Sequence, residues 1–255
     1  MNLHPYLQHD GVIAFAHRGG ALEAPENTMK AFAYAVDLGY RYVETDAYAT
    51  RDGVLLAFHD DRLDRVTDRK GLIAELDYAD IREARIGGSE PIPLLEELLA
   101  AWPGLRVNID PKHDGAVGPL IDLLRRLNAL DRVCIGSFSD ARIARVRAAF
   151  GEAACTSMGP REVARFWLAK RRIPSGRFAA NCVQIPVRQG PFRLVDAASV
   201  AAAHRLGLKM HVWTIDDEAE MRRLVGLGVD GIMTDRPALL RGVLSNLNQH
   251  LPRGA

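Results

Sequence analysis

The sequence predicts an α/β fold: a single (β/α)8 barrel of the TIM type, with a short β-hairpin extension and a small insertion after it. Three observations predict it. Eight strand-like apolar runs alternate with helical patterns along the chain. The length, 255 residues, is about what one such barrel uses. Polar residues gather at the C-terminal ends of several strands, where barrels of this type carry their chemistry.

The elements follow in order. Residues 12–16 read as a strand, and 27–38 as a helix stopped by Gly39. Residues 40–48 form the second strand. Arg51-Asp52-Gly53 is a turn signal, and 54–58 a further strand. So short a turn cannot carry a parallel crossover, so this strand must fold back antiparallel on its predecessor. Residues 60–92 are charged and rich in Gly and Pro, a small insertion with a short helix near 78–84. Helices at 94–101, 117–128, 140–149, 160–170, 194–206, 217–226 and 237–247 then alternate with strands at 105–110, 132–136, 153–157, 181–185, 208–215 and 229–234. An open doubly wound sheet is the competing architecture. The turn after the first strand, GGALEA, lacks the glycine spacing of a dinucleotide-binding loop. No composition break divides the chain, so residues 1–255 are expected to form one domain.

Composition excludes several classes. Apolar residues make up 48% and charged residues 25%, with a formal net charge of +1. That balance gives no reason to expect a nucleic-acid partner or a membrane-binding polybasic surface. No apolar run approaches the roughly 20 residues of a membrane span, and the N-terminal stretch MNLHPYLQHDG lacks the basic start and apolar core of a signal peptide. Cys134, Cys155 and Cys182 lie singly in apolar runs, without metal or disulfide spacing, as buried thiols of a cytoplasmic protein would. The arginine-rich helix around 141–147 reads as a solvated face.

The strand ends carry the candidate site. The first strand ends in His17-Arg18, the second in Glu44-x-Asp46, the hairpin strand in His59-Asp60, the third in Asn108-x-Asp110-x-Lys112, the seventh in Trp213-Thr214 and the eighth in Thr234-Asp235. Glu44 and Asp46 are two apart on a strand and face the same way. Two such carboxylates repel unless a cation lies between them. With Asp110 they make an all-oxygen donor set, suited to one hard divalent cation, Mg²⁺ or Ca²⁺. His17 and His59 can exchange protons near neutral pH. Arg18 offers a planar fork for phosphate oxygens and Lys112 a point charge. This combination suits an anion that gains charge in its transition state, with phosphoryl transfer the foremost candidate. The other histidines, at 4, 9, 113, 204, 211 and 250, lack this context and read as surface or packing residues.

The run HRGG-x4-PENT-x2-AF, followed by E-x-D and DG-x4-FHD, resembles the glycerophosphodiester phosphodiesterase family. The resemblance continues through IPLLEELL (92–99), NIDPK (108–112) and HVWTIDDEAEMRRLVGLGVDGIMTDRP (211–237), so it extends over most of the chain. It implies a TIM barrel that uses a divalent cation to hydrolyse glycerophosphodiesters to glycerol 3-phosphate and an alcohol. By position, Glu44 and Asp46 match the family's metal carboxylates, His17 and His59 its acid/base pair, and Arg18 and Lys112 its phosphate contacts. Trp213 matches an aromatic lining the site. PENT reads as architectural, with Asn27 as helix N-cap or as a residue orienting the site. One position departs: Asp110 stands where the family usually has glutamate, which bears on direct coordination and on the choice of ion. The insertion at 60–92 is expected to cap the mouth. The nucleophile can be water or the glycerol 2-hydroxyl. A lysophospholipase D-like activity, and a barrel that only binds phosphorylated ligands, are the alternatives. The expected partner is a small phosphodiester, without nucleic acid or integral membrane association.

Overall fold

The computed structural model describes residues 3–249. Its strands are β1 (Ile13–His17), β2 (Tyr42–Ala49), β3 (Leu55–Ala57), β4 (Arg85–Ile86), β5 (Glu90–Pro91), β6 (Arg106–Pro111), β7 (Val133–Ile135), β8 (Cys155–Thr156), β9 (Cys182–Pro186), β10 (Arg188–Gln189), β11 (Phe192–Arg193), β12 (Lys209–Trp213) and β13 (Gly231–Thr234). The helices are α1 (Met29–Asp37), α2 (Tyr78–Ile81), α3 (Leu95–Ala101), α4 (Val117–Arg126), α5 (Asp140–Phe150), α6 (Pro160–Lys170), α7 (Ala197–Arg205), α8 (Glu218–Leu227) and α9 (Pro237–Asn246). The parallel strands run in the order β8-β7-β6-β2-β1-β13-β12-β9. The two ends of that order meet. Ser157 bridges Cys182 in parallel, and the Asn181 and Met158 amides donate to the Thr156 and Cys182 carbonyls at 2.9 and 3.0 Å. Eight parallel strands thus form the barrel that the alternating pattern predicts.

Strand parity explains what lies inside. On β1, Ala14 and Ala16 join the large apolar layer between strands and helices. Ile13 and Phe15 point the other way, into a lumen shared with Tyr42, Cys134, Cys155, Cys182 and Met233. A short 3-10 turn, Pro5–Leu7, packs Tyr6 and Leu7 against this cluster. The three thiols are free and buried, each pushed up, mainly by burial for Cys134 and Cys155 and by the neighbouring Cys134 thiol for Cys182. Among the described residues, no helix is long and apolar enough to cross a membrane.

β3 pairs antiparallel with β2, Tyr48 opposite Leu56, as the short turn requires. The insertion is less irregular than its composition suggests. It holds α2, the small β4–β5 ribbon, and an apolar cluster of Leu63, Ile73, Ile81, Ala84, Ile86 and Ile92 under Leu56 and Phe58. The short helix expected at 78–84 ends at Ile81.

Three local expectations need correction. The N-cap of α1 is Thr28, whose Oγ1 accepts from the Ala31 amide at 3.1 Å, because Asn27 is committed elsewhere. The helix expected at 194–206 begins only at Ala197, after the β10–β11 hairpin and an Asp196 cap whose carboxylate accepts from the Ser199 amide. The arginines of α5 are not a plain solvated face. Arg147 reaches Thr156 Oγ1 and Glu162 at 2.9 and 2.8 Å, and Arg142 reaches Asp114 at 2.8 Å. His250 lies outside the described residues.

Candidate active site

The site is built by continuing the lumen parity to the strand ends. His17 follows Ile13 and Phe15; Glu44 and Asp46 follow Tyr42; Asn108 and Asp110 share a face of β6. In register, His17 lies beside Glu44, Glu44 beside Asn108, and Asp46 beside Asp110. Glu44, Asp46 and Asp110 are all buried, at 5%, 1% and 8% exposure. A barrel gains nothing in stability from carboxylates there, since buried charges without full compensation cost several kcal/mol.

After His17 the backbone turns left-handed over three residues, Arg18, Gly19 and Gly20, at φ of 50°, 83° and 106°. Glycine is required at the second. A Cβ on Gly19 would come 2.8 Å from the Ala31 carbonyl carbon, a backbone atom that cannot yield. This turn lets Arg18 face the site twice. Its amide donates to Glu44 Oε2 at 3.2 Å, and its guanidinium donates to Glu26 at 3.1 Å. Nε lies 3.1 Å from Asp46 Oδ2, but is not aligned for a hydrogen bond; this is an ion pair by proximity.

Asn27 holds Asp46. Its Nδ2 donates to Asp46 Oδ2 at 3.1 Å, while its Oδ1 accepts from Thr45 Oγ1 at 2.8 Å. Lys112 Nζ sits between the carboxylates of Asp46 and Asp110, 2.8 Å from each. Burial works against its charge, but Asp46 and Asp110 outweigh it and push Lys112 up to about 12. Burial likewise raises Asp46, yet Lys112 and Arg18 hold it net below the usual carboxylate range. On Glu44 the same cations, with His17, are outweighed. Burial first, then the neighbouring charge of Asp46, push it up to about 7. Asp110 is raised chiefly by burial, with Lys112 opposing.

Both candidate imidazoles are anchored through Nδ1 by a carboxylate. His17 Nδ1 lies 2.7 Å from Asp235 Oδ1, with Nε2 3.6 Å from Glu44. Burial lowers His17, but Glu44 and Asp235 bring it net above the ordinary histidine value. His59 Nδ1 lies 2.6 Å from Asp60 Oδ1. Asp60 is brought down to about 2, first by its hydrogen bond from Arg65 and then, against burial, by His59. Arg65 also forks onto Glu26 at 2.7 and 2.8 Å. A chain of polar contacts therefore runs from His59 through Asp60, Arg65 and Glu26 to Arg18. Carboxylates that accept from Nδ1 fix tautomer and ring plane and leave Nε2 for proton transfer.

All eight residues singled out in the sequence, His17, Arg18, Glu44, Asp46, His59, Asp110, Lys112 and Trp213, line one cavity of about 670 Å³. Asn108, Ser137 and Gln184 line it too, together with an apolar wall that includes Met158, Trp167, Ile185 and Leu194. Phe138 stands at the rim, 69% exposed, edge-on to Trp213 at 5.7 Å. Below this, Gln184 Nε2 donates to Asn108 Oδ1 at 2.8 Å and approaches Nδ1 of the buried His211 at 3.2 Å. Sequence reasoning did not single out Gln184, Glu26 or Arg65. Gln184 carried a signal, as the polar residue at lumen parity in CVQIP. Glu26 stands in the PENT motif. Arg65 carried none.

Among the described residues, no three His, Cys, Asp or Glu side chains stand already arranged around a metal position. The donor chemistry nevertheless fits a hard cation. Asp110 Oδ1 is buried without a partner, and Glu44 and Asp46 carry mutual repulsion that a divalent ion would relieve.

The chain matches the model of the glycerophosphoryl diester phosphodiesterase family over residues 17–239. It is 42% identical to "Probable glycerophosphodiester phosphodiesterase 2" of Mycobacterium tuberculosis, over 94% of this chain and 93% of that protein. It is 25% identical to the human lysophospholipase D GDPD1, over 91% of this chain and 86% of that one. A crystal structure of glycerophosphodiester phosphodiesterase from Agrobacterium tumefaciens superposes with a TM-score of 0.76 at 25% identity, covering 90% of this chain and 99% of its own. With the match to the family model running almost from end to end, the chain belongs to the glycerophosphoryl diester phosphodiesterase family.

Proposed function

We propose that this glycerophosphodiester phosphodiesterase releases glycerol 3-phosphate and an alcohol by proton transfer between two imidazoles, with one divalent cation bound. The observation that carries the reading is the pairing of each ring with a carboxylate at Nδ1, 2.7 Å for His17 and 2.6 Å for His59, beside two cations and three buried carboxylates. Arg18 and Lys112 bind the phosphodiester oxygens and give up part of their hold on Asp46 as substrate arrives. One imidazole takes the proton of the nucleophile at Nε2; the other gives a proton to the leaving alkoxide. Glu44, Asp46 and Asp110 would hold Mg²⁺ or Ca²⁺, which draws charge from the phosphoryl oxygens when bound. Trp213 lines the substrate pocket, and the insertion, through Arg65, steadies the His59 side of the mouth. Three free thiols suit a reducing cytoplasm.

The test is release of glycerol 3-phosphate from glycerophosphocholine, with chelation and with His17→Ala and His59→Ala. Chelator is expected to abolish turnover, and each substitution to cost about 10²-fold or more. Near-native rates in both variants would remove the imidazoles from the mechanism. A cyclic phosphate seen by phosphorus NMR marks attack by the glycerol 2-hydroxyl; its absence in trapping experiments marks water.

One observation favours a second reading, lysophospholipase D-like activity. The wall facing the carboxylates is apolar, with Met158, Trp167, Ile185, Leu194 and Trp213 lining the same cavity, so an acyl-bearing alcohol has a surface to lie on. Turnover of a lysophospholipid exceeding that of glycerophosphocholine decides for it.

A further inference from the structure

The family chemistry leaves one face of the molecule unused. Between Arg165 and Leu194 the chain holds seven Lys and Arg and no Asp or Glu, although the protein as a whole carries a net charge of only +1. The fold gathers part of this stretch beside the active-site mouth. The C-terminal end of α6 supplies Lys170 and Arg171, and the β10–β11 hairpin supplies Phe192 and Arg193, around a groove of about 610 Å³. Arg188 pairs with Arg193 across the hairpin.

The groove is continuous with the catalytic cavity, because Trp167, Gln189 and Leu194 line both. Phe192, at the hairpin, is 70% exposed. Arg171, Arg188 and Arg193 are exposed as well. Lys170 is held by Asp196 at 2.8 Å. Glu220, the carboxylate that feels Arg188 and Arg193, is already hydrogen-bonded to Arg223. Among the described residues, none of these three arginines is held in an ion pair, so the face offers available cations around a projecting aromatic ring. Cations alone would suit any polyanion. An exposed aromatic among them suits a surface that is anionic at its headgroups and apolar just beneath, where a ring is buried while arginines stay at headgroup level.

We propose that the end of α6 and the β10–β11 hairpin form a docking surface for an anionic lipid interface, which turns the catalytic mouth toward that interface. This goes beyond the phosphodiesterase reading and does not depend on it, since binding is measured without turnover.

The experiment is co-sedimentation of the full chain with vesicles of phosphatidylcholine alone, and of phosphatidylcholine mixed with phosphatidylglycerol. Binding is expected to the mixed vesicles only, and to weaken with salt. R188Q and R193Q should each lower partition about fivefold. F192S should weaken binding at every salt concentration, including high salt where the charge contribution is screened. All three residues are exposed and lie outside the catalytic cavity, so hydrolysis of soluble glycerophosphocholine should remain at the native rate in each variant. No binding to mixed vesicles overturns the proposal. So does binding that F192S leaves unchanged, or equal binding to a DNA duplex, because the face would then be a site for polyanions in general.

Discussion

Replacing Asp235 with asparagine separates the role of the His17 imidazole from that of the group behind it. The Asp235 carboxylate lies 2.7 Å from His17 Nδ1, and the His17 side chain is only 16% exposed. Burial alone would push the imidazolium down; Glu44 and Asp235 together reverse that. A hydrogen bond to a charged partner contributes about 1.5–3 kcal/mol. If that bond strengthens as the ring takes up a proton, loss of the charge slows turnover by about 10- to 150-fold. Asparagine fills the same space, and the loop stays anchored because the Asp235 amide donates to Asp216 at 2.8 Å. Its side chain, however, can offer N–H to Nδ1 and so stabilise the wrong tautomer. The assay is steady-state release of glycerol 3-phosphate at saturating metal. Asp235 does not line the cavity, so kcat should fall while KM holds. A kcat within about twofold of native, with thermal stability unchanged, would refute the reasoning; so would a rise in KM alone.

Two further outcomes follow from buried groups. Asp110→Asn keeps the shape but removes the charge behind the unpartnered Oδ1, and should raise the Mg²⁺ or Ca²⁺ concentration for half-maximal activity at least about tenfold; an unchanged metal requirement would exclude Asp110 as a ligand. His211 is wholly buried, and burial brings it from 6.5 down to about 4. The unfolded chain takes up this proton near its ordinary value, whereas the fold resists it, so stability is fully present above pH 6.5 and is lost as pH falls toward 4. Between about pH 7.5 and about pH 5, urea unfolding should show the native protein losing about 2 kcal/mol more than His211→Gln. Parallel pH profiles for the two proteins would contradict it.

Much of the site was legible because it obeys one rule, strand parity carried to the strand ends. Glu44 and Asp46 face the lumen because Tyr42 does, and His17 because Phe15 does; the sequence states both. Parity does not say what holds each group. Asn27 and Thr28 are adjacent, and both are good N-caps by side chain. Thr28 takes that place because Asn27 is bound to Asp46 and Thr45, a choice made by tertiary contacts. Arg147 looked solvated for the same reason. Its partner Glu162 stands on the next helix, and no local pattern announces a pair fifteen residues apart.

In the insertion the sequence pattern stops specifying contacts. Its composition reads as surface, yet it contributes Arg65, which joins Asp60 behind His59 to Glu26 behind Arg18. A charged residue in a Gly- and Pro-rich stretch has many possible partners, and only the fold selects among them. The β10–β11 hairpin was hidden differently. Its two strands are too short for alternation to register, and Arg188 and Phe192 face solvent rather than a core. A stretch that buries nothing leaves no periodic signal. What distinguishes this one is its charge, seven cations without an acid from Arg165 to Leu194, which a whole-chain balance of +1 conceals. Net charge reports the sum over the molecule, whereas a surface interacts through its local density. A near-neutral total is therefore compatible with a strongly basic face, and the basic face lies beside the mouth.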